Sequence, residues 1–172
     1  RPKHIQIPIS VLESQAPLFK LESSAIVPSS QDNSAISEIA RQLSKAKRPL
    51  FILGGGAVKT NVQVLLERCK AAAFVTFAGR GLVHPSYPLY LGSSLARSET
   101  VAIIESADLV IVLGSELGEV DLWREKLGHK AVMVRVDIDP QVLSDAQNAE
   151  VRVAMRAEEF VSLMLDELKS ET

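Results

Sequence analysis

Three short stretches hold residue types that could bind a ligand. "PLFILGGGAVKT", residues 49–60, runs an apolar strand into Gly54, Gly55 and Gly56. Backbone without side chains can approach a phosphate closely. A helix that follows such a turn offers N–H groups and the positive end of its dipole, about 0.3–1 kcal/mol at an exposed site. Lys59 could add a charge. The second stretch is Gly114, Ser115 and Glu116, directly after the apolar run 108–113. The third is "VDIDP", in which Asp137, Ile138 and Asp139 close another apolar run. A carboxylate at a strand end is suited to accept hydrogen bonds from ribose hydroxyls. The candidate cofactor-binding set is therefore Gly54, Gly55, Gly56, Gly114, Ser115, Asp137, Ile138 and Asp139.

Each stretch also has a plainer reading. The triplet fits neither G-x-G-x-x-G nor the spacing of a Walker loop, and it would serve equally as a tight turn. Asp137 and Asp139, ahead of Pro140, would serve equally as turn and N-cap residues. His4, His84 and His129 are scattered and show no metal-ligand spacing. No nucleophile–base pair stands out, so no catalytic residue and no metal ligand is assigned. Cys69 falls on the apolar face of a helix and reads as core. Trp123, in "EVDLWREKLG", reads as a packing or interface residue.

These stretches need elements to hold them. "SSQDNSAISEIARQLSKAKRP" is amphipathic, with Ile36, Ile39, Ala40 and Leu43 at helical spacing, and Pro49 ends it. Strands and helices then alternate. "PLFIL", "AFVTF", "LYLG", "DLVIVLG", "KAVMVRVDID" and "EVRVAM" read as strands; "NVQVLLERCKAA", "SETVAIIESA" and "AEEFVSLMLDELKS" read as helices. The strands are near-continuous apolar runs, the pattern of strands buried on both faces of a parallel sheet. Right-handed crossovers place helices on both sides. The expected fold is a three-layer, Rossmann-like α/β domain with about six parallel strands.

Composition bounds the function. The 172 residues carry a net charge of −2 and are 47% hydrophobic, as expected of one globular domain with a substantial core. No block of like charge suggests nucleic acid or a membrane surface as a partner. A lone cysteine builds no disulfide framework, and a reducing, cytoplasmic setting is the expectation. No apolar run reaches the roughly 18 residues of a membrane span. The N-terminus lacks the apolar core of a signal peptide. It opens on a strand-like run, Ile5, Ile7 and Ile9, without an initiator Met, and so reads as a segment cut from a longer protein. Residues 11–34, with two prolines and many Ser, Asn and Asp, read as a linker.

In order along the chain, these stretches resemble the thiamine diphosphate-dependent enzymes. "HIQIPISVL" resembles the end of that family's pyrimidine-binding domain, and "AKRPLFILGGGAVK" the start of its central domain. "AAAFVTFAGRGLVHPSYPLYLGSS", "ESADLVIVLGSELGE" and "VMVRVDIDPQVLSDAQNAEVRVAMRAEEFVSLML" resemble three further stretches of that domain. The resemblance spans nearly the whole chain. It implies residues 1–31 as the end of a preceding domain and linker, and 32–172 as a central domain of the DHS-like NAD/FAD-binding type.

The resemblance also implies a parent enzyme of the acetolactate synthase or 2-oxo acid decarboxylase type. Thiamine diphosphate and Mg2+ would be bound by its pyrimidine- and diphosphate-binding domains, and the full-length protein would be a homo-oligomer. The family's "G-D-G" motif occurs nowhere in this sequence. In some members the central domain holds FAD, ADP or coenzyme A; in others it is structural. Acetohydroxyacid synthases carry "G-A-R-F-D-D-R" after the strand 108–113; here, in "GSELGEVDLWRE", Glu116 stands where an arginine would be expected, and Glu119 and Asp121 add further negative charge. Carboxylates repel a pyrophosphate, roughly 1 kcal/mol per close exposed pair, which argues against FAD. "GSELGEVD" is closer to the "G-T-E-L-G-E-T-D" of bacterial decarboxylases that include those acting on 5-guanidino-2-oxopentanoate. Acidic residues there would suit a cationic substrate. The alternatives are a working nucleotide-binding module and, third, a stand-alone NAD-dependent enzyme of sirtuin-like fold.

Overall fold

The computed structural model describes His4, residues 6–15 and residues 33–170. Six strands form one parallel sheet: β1 (Pro49–Leu53), β2 (Ala72–Val75), β3 (Tyr90–Gly92), β4 (Leu109–Leu113), β5 (Val132–Asp137) and β6 (Val151–Ala154). Their spatial order is β3-β2-β1-β4-β5-β6. The order reverses between β1 and β4, which pair in register from Pro49 opposite Leu109 to Leu53 opposite Leu113. This is the doubly wound, Rossmann-like arrangement that the apolar runs predict.

Every residue of β1 and β4 is buried. Side chains alternate between the sheet faces, so both faces need apolar cover. On one face Phe51, Leu53, Ile111 and Val134 pack against α2 (Asn33–Lys45), α3 (Val62–Cys69) and α7 (Ala157–Ser170) through Ile39, Leu43, Leu65, Phe160 and Met164. On the other, Leu50, Ile52, Phe74, Val110 and Val112 meet Ile104 of α4 (Thr100–Ser106) and Leu117, Leu122 and Leu127 of the segment after β4. Burying one such side chain contributes about 1.5–3 kcal/mol. Asp108 fixes the entry to the two central strands: its carboxylate accepts the Lys47 and Arg48 amides at 2.7 and 2.9 Å.

The strand suggested by Ile5, Ile7 and Ile9 does not appear in the described residues. Gln6–Pro8 is irregular and α1 (Ile9–Leu12) is a single helical turn; Ile5 lies outside the description. A strand needs a paired edge, and none of the six strands pairs with this segment. Most of the expected linker, residues 16–32, also lies outside the described residues. Two short helices appear where the sequence suggests only loop: α5 (Glu119–Leu122) after β4 and α6 (Pro140–Leu143) after β5.

Candidate functional site

The carboxyl ends of β1, β4 and β5 lie side by side, and the three sequence stretches meet there. The loop after β1 leaves the sheet at Gly54 and makes a 3-10 turn over Gly55–Ala57, so α3 begins only at Val62. Four amides of this loop, those of Gly54, Gly56, Ala57 and Val58, donate within the fold. Gly54 donates to the Leu113 carbonyl at 2.9 Å and Gly56 to Gly114 at 3.0 Å. Ala57 donates to Gly54 at 3.1 Å and Val58 to Gly55 at 3.3 Å.

The glycines are required by this close approach of two loops. A Cβ on Gly54 would sit 2.1 Å from the Gly114 carbonyl oxygen, and one on Gly56 would sit 2.9 Å from Gly114 Cα. Gly114, at φ +60°, would place a Cβ 2.7 Å from Gly56 Cα. The space a side chain would fill is occupied by protein backbone rather than left open for a ligand.

Ser115 is buried; its hydroxyl accepts the Leu117 amide at 3.1 Å and its carbonyl accepts Arg135 Nη2 at 2.6 Å. Asp137 ends β5 and accepts the Asp139 amide at 2.9 Å. Asp139 N-caps α6 by accepting the Gln141 amide at 2.9 Å, with Pro140 in the first helical position. The two aspartates therefore have local structural work. Ile138 between them is exposed.

Gly55, Gly56, Gly114, Asp137 and Ile138 line one cleft of about 300 Å³, which also takes in Lys59, Arg156 and Glu158. An adjoining hollow of about 520 Å³ adds Glu116, Asp139 and Pro140. Gly54 and Ser115 line neither and are buried in the fold. Lys59 and Arg156 are exposed cations able to meet an anion, opposed by the carboxylates of Asp137 and Glu158. Arg156 does not stand out by motif, although its place directly after the last strand puts it on the ligand edge.

Arg135 is a second residue that motif and spacing pass over. It is 1% exposed, between the apolar Val134 and Val136 of β5, and bonds both Asp145 and the Ser115 carbonyl. It anchors the loop after β4 from beneath. A cation interrupting "VMVRVD" is the available signal.

The remaining titratable groups read as structural. Asp121 accepts the Phe77 amide at 3.0 Å. His84 Nδ1 lies 2.6 Å from the Ser86 hydroxyl. Burial holds the half-buried His129 below its ordinary pKa, with Glu150 opposing. Burial raises the Cys69 thiol to about 11, so it stays protonated and unreactive at neutral pH. Among the described residues no group of three or more His, Cys, Asp or Glu side chains could hold a metal ion. No described helix is long and apolar enough to cross a membrane.

A doubly wound sheet whose glycine loops meet at the switch point defines a Rossmann-like α/β domain. The chain belongs to the family described as thiamine pyrophosphate enzyme, central domain, whose model matches residues 36–164. It is 36% identical over 180 residues to a probable 2-ketoarginine decarboxylase of Pseudomonas aeruginosa, covering 99% of this chain and 31% of that protein. It is 26% identical to the large subunit of acetolactate synthase isozyme 1 of Escherichia coli, over 95% of this chain and 29% of the relative. It is also 26% identical to pyruvate decarboxylase of Candida albicans, over 76% of this chain and 25% of the relative. The chain therefore spans under a third of the length of each.

Proposed function

We propose that this chain is the central, non-catalytic domain of a thiamine diphosphate- and Mg2+-dependent enzyme acting on 2-oxo acids, and that its role there is to scaffold the domains that bind the cofactor. The observation that carries the scaffold reading is the locked switch point. Gly54, Gly56 and Gly114 fit one another's backbone, and the amides of Gly54, Gly56, Ala57 and Val58 are engaged internally. Thiamine diphosphate would supply the carbanion chemistry from domains outside residues 32–172, in a cytoplasmic homo-oligomer. The similarity to a probable 2-ketoarginine decarboxylase favours decarboxylation of a 2-oxo acid with a cationic side chain. The test is to assay the full-length parent on 2-ketoarginine, pyruvate and 2-oxoisovalerate with thiamine diphosphate and Mg2+. Cofactor-dependent CO2 release is expected, fastest with 2-ketoarginine; no turnover of any 2-oxo acid refutes the reading.

A second reading has its own observation. Lys59 and Arg156 flank the cleft over Gly55, Gly56 and Gly114, and together they could hold the phosphates of ADP or coenzyme A, with Asp137 or Asp139 toward the ribose. Glu116, Asp137 and Asp139 around the adjoining hollow weigh against the FAD pyrophosphate. Calorimetry with ADP decides it: heat at micromolar ligand that disappears in Lys59→Ala supports a nucleotide site, and none at millimolar ligand removes it.

A further inference from the structure

The carboxyl edge of the sheet carries a second feature, away from the cleft between β1 and β5. Phe77, Val120 and Trp123 are 46%, 68% and 77% exposed. They stand on two loops tied together, because the Asp121 carboxylate accepts the Phe77 amide at 3.0 Å. Leu117, Val120 and Trp123, with the charged Glu119, Arg124 and Glu125, line a hollow of about 680 Å³. A large aromatic side chain left in water beside a concave apolar surface is the signature of an interface anchor.

The loop that carries Trp123 is held in place by hydrogen bonds. Trp123 is presented from a left-handed backbone, φ 50°, a conformation that a bulky residue adopts only where its surroundings enforce it. Arg124 enforces it here, donating to the carbonyls of Leu95 and Leu122 at 2.7 and 3.2 Å and to those of Lys126 and Leu127. From the other side, the Gln147 side chain accepts the Leu127 amide and donates to the Glu125 carbonyl, each at 2.9 Å. Arg80 lies 4.4 Å over the Phe77 ring. A surface held in its bound shape loses little entropy on docking.

We infer that the Phe77–Val120–Trp123 surface is the docking face for a neighbouring domain of the same parent polypeptide, which inserts an apolar side chain into the hollow beside Trp123. The occupant follows from length. The relatives that match nearly all of this chain are more than three times as long, so most of such a polypeptide folds outside it. This inference rests on the multidomain reading above but not on the reaction assigned to the parent.

Hydroxyl-radical footprinting with mass spectrometry on the full-length parent tests it. Trp123 in the native parent should be oxidised at least about tenfold more slowly than in the urea-unfolded parent. Protection below about twofold, the level expected of an uncovered indole, overturns the inference even if the parent decarboxylates 2-oxo acids. Protection in a parent that turns over no 2-oxo acid keeps the docking face and refutes only the reaction. The 172-residue chain, first shown folded by circular dichroism, supplies the other arm, since Trp123 is its one tryptophan. Its indole should fluoresce as a water-exposed one at all protein concentrations. A blue shift that grows with concentration would assign the hollow to a second copy of this chain. A concentration-independent blue shift would show the indole covered from within this chain; either outcome overturns the inference.

Discussion

Gly54 and Gly114 each stand where a side chain would penetrate the other's loop, so their identity is set by contact across the switch point. Gly118 is the internal control: it has φ −65°, and a Cβ added there would meet nothing within 4 Å. Gly54→Ala and Gly114→Ala should each lower unfolding stability by about 3 kcal/mol or more, while Gly118→Ala should stay within about 0.5 kcal/mol. Urea unfolding followed by circular dichroism measures all three. Equal, small effects would mean that the loops part easily and that the turn is open to a ligand after all. The same pair shows what a sequence can say about a glycine. "GGG" after a strand announces a tight turn, but whether the missing side chain makes room for a phosphate or for a neighbouring loop depends on residues about 60 positions away.

At the scale of elements, the loop after β4 depends on a buried cation. Arg135 reaches from β5 to Asp145 and to the Ser115 carbonyl, so it couples that loop to the segment between α6 and β6. Arg135→Ala leaves the Asp145 carboxylate and the Ser115 carbonyl without this partner and should cost about 3–5 kcal/mol. Arg135→Met keeps the stem volume and should cost clearly less. Differential scanning calorimetry compares them, and equal losses would show that Arg135 contributes its charge and hydrogen bonds rather than the packing of its stem. The strands themselves are legible in the sequence, because apolar runs of four to six residues between polar turns have little else to become. The short helices α5 and α6 are not. Four residues make too few periods to register, and their existence depends on Leu122, Val142 and Leu143 finding a core to enter.

For the whole molecule, stability should fall on acidification in two stages. Burial depresses the pKa of His129 below its ordinary 6.5, so below that pH the unfolded chain takes up a proton that the folded chain does not, and stability drops until folded His129 titrates. Glu150, whose carboxylate accepts the Met133 amide at 2.7 Å, is depressed below its ordinary 4.5. Hydrogen bonds from Arg41 and Gln42 hold Glu38 down at about 2. Their contribution is present above pH 4.5 and is lost as pH falls through the folded values. Glu38 is fully exposed, so Glu150 should matter more. Urea midpoints between about pH 8 and pH 3 trace both stages. In His129→Gln the decline that sets in below about pH 6.5 should flatten; an unchanged slope there would assign it to other groups.

The sequence by itself determined the class of fold, the order of the six sheet strands and of the longer helices between them, and the family likeness. Those follow from local periodicity and from motifs read in succession, neither of which needs a contact between distant residues. The tertiary structure alone decided how the candidate site is built. Asp137 and Asp139 could have faced a ribose or capped a turn, and their hydrogen bonds to the amides of Asp139 and Gln141 give both a part in the turn. Gly54–Gly56 could have stood open over a phosphate, and the pairing of β1 with β4 brings Gly114 against Gly54 and Gly56. The reason is common to both: a short polar or glycine-rich loop has no conformation of its own, and it takes the one imposed by the strand placed beside it.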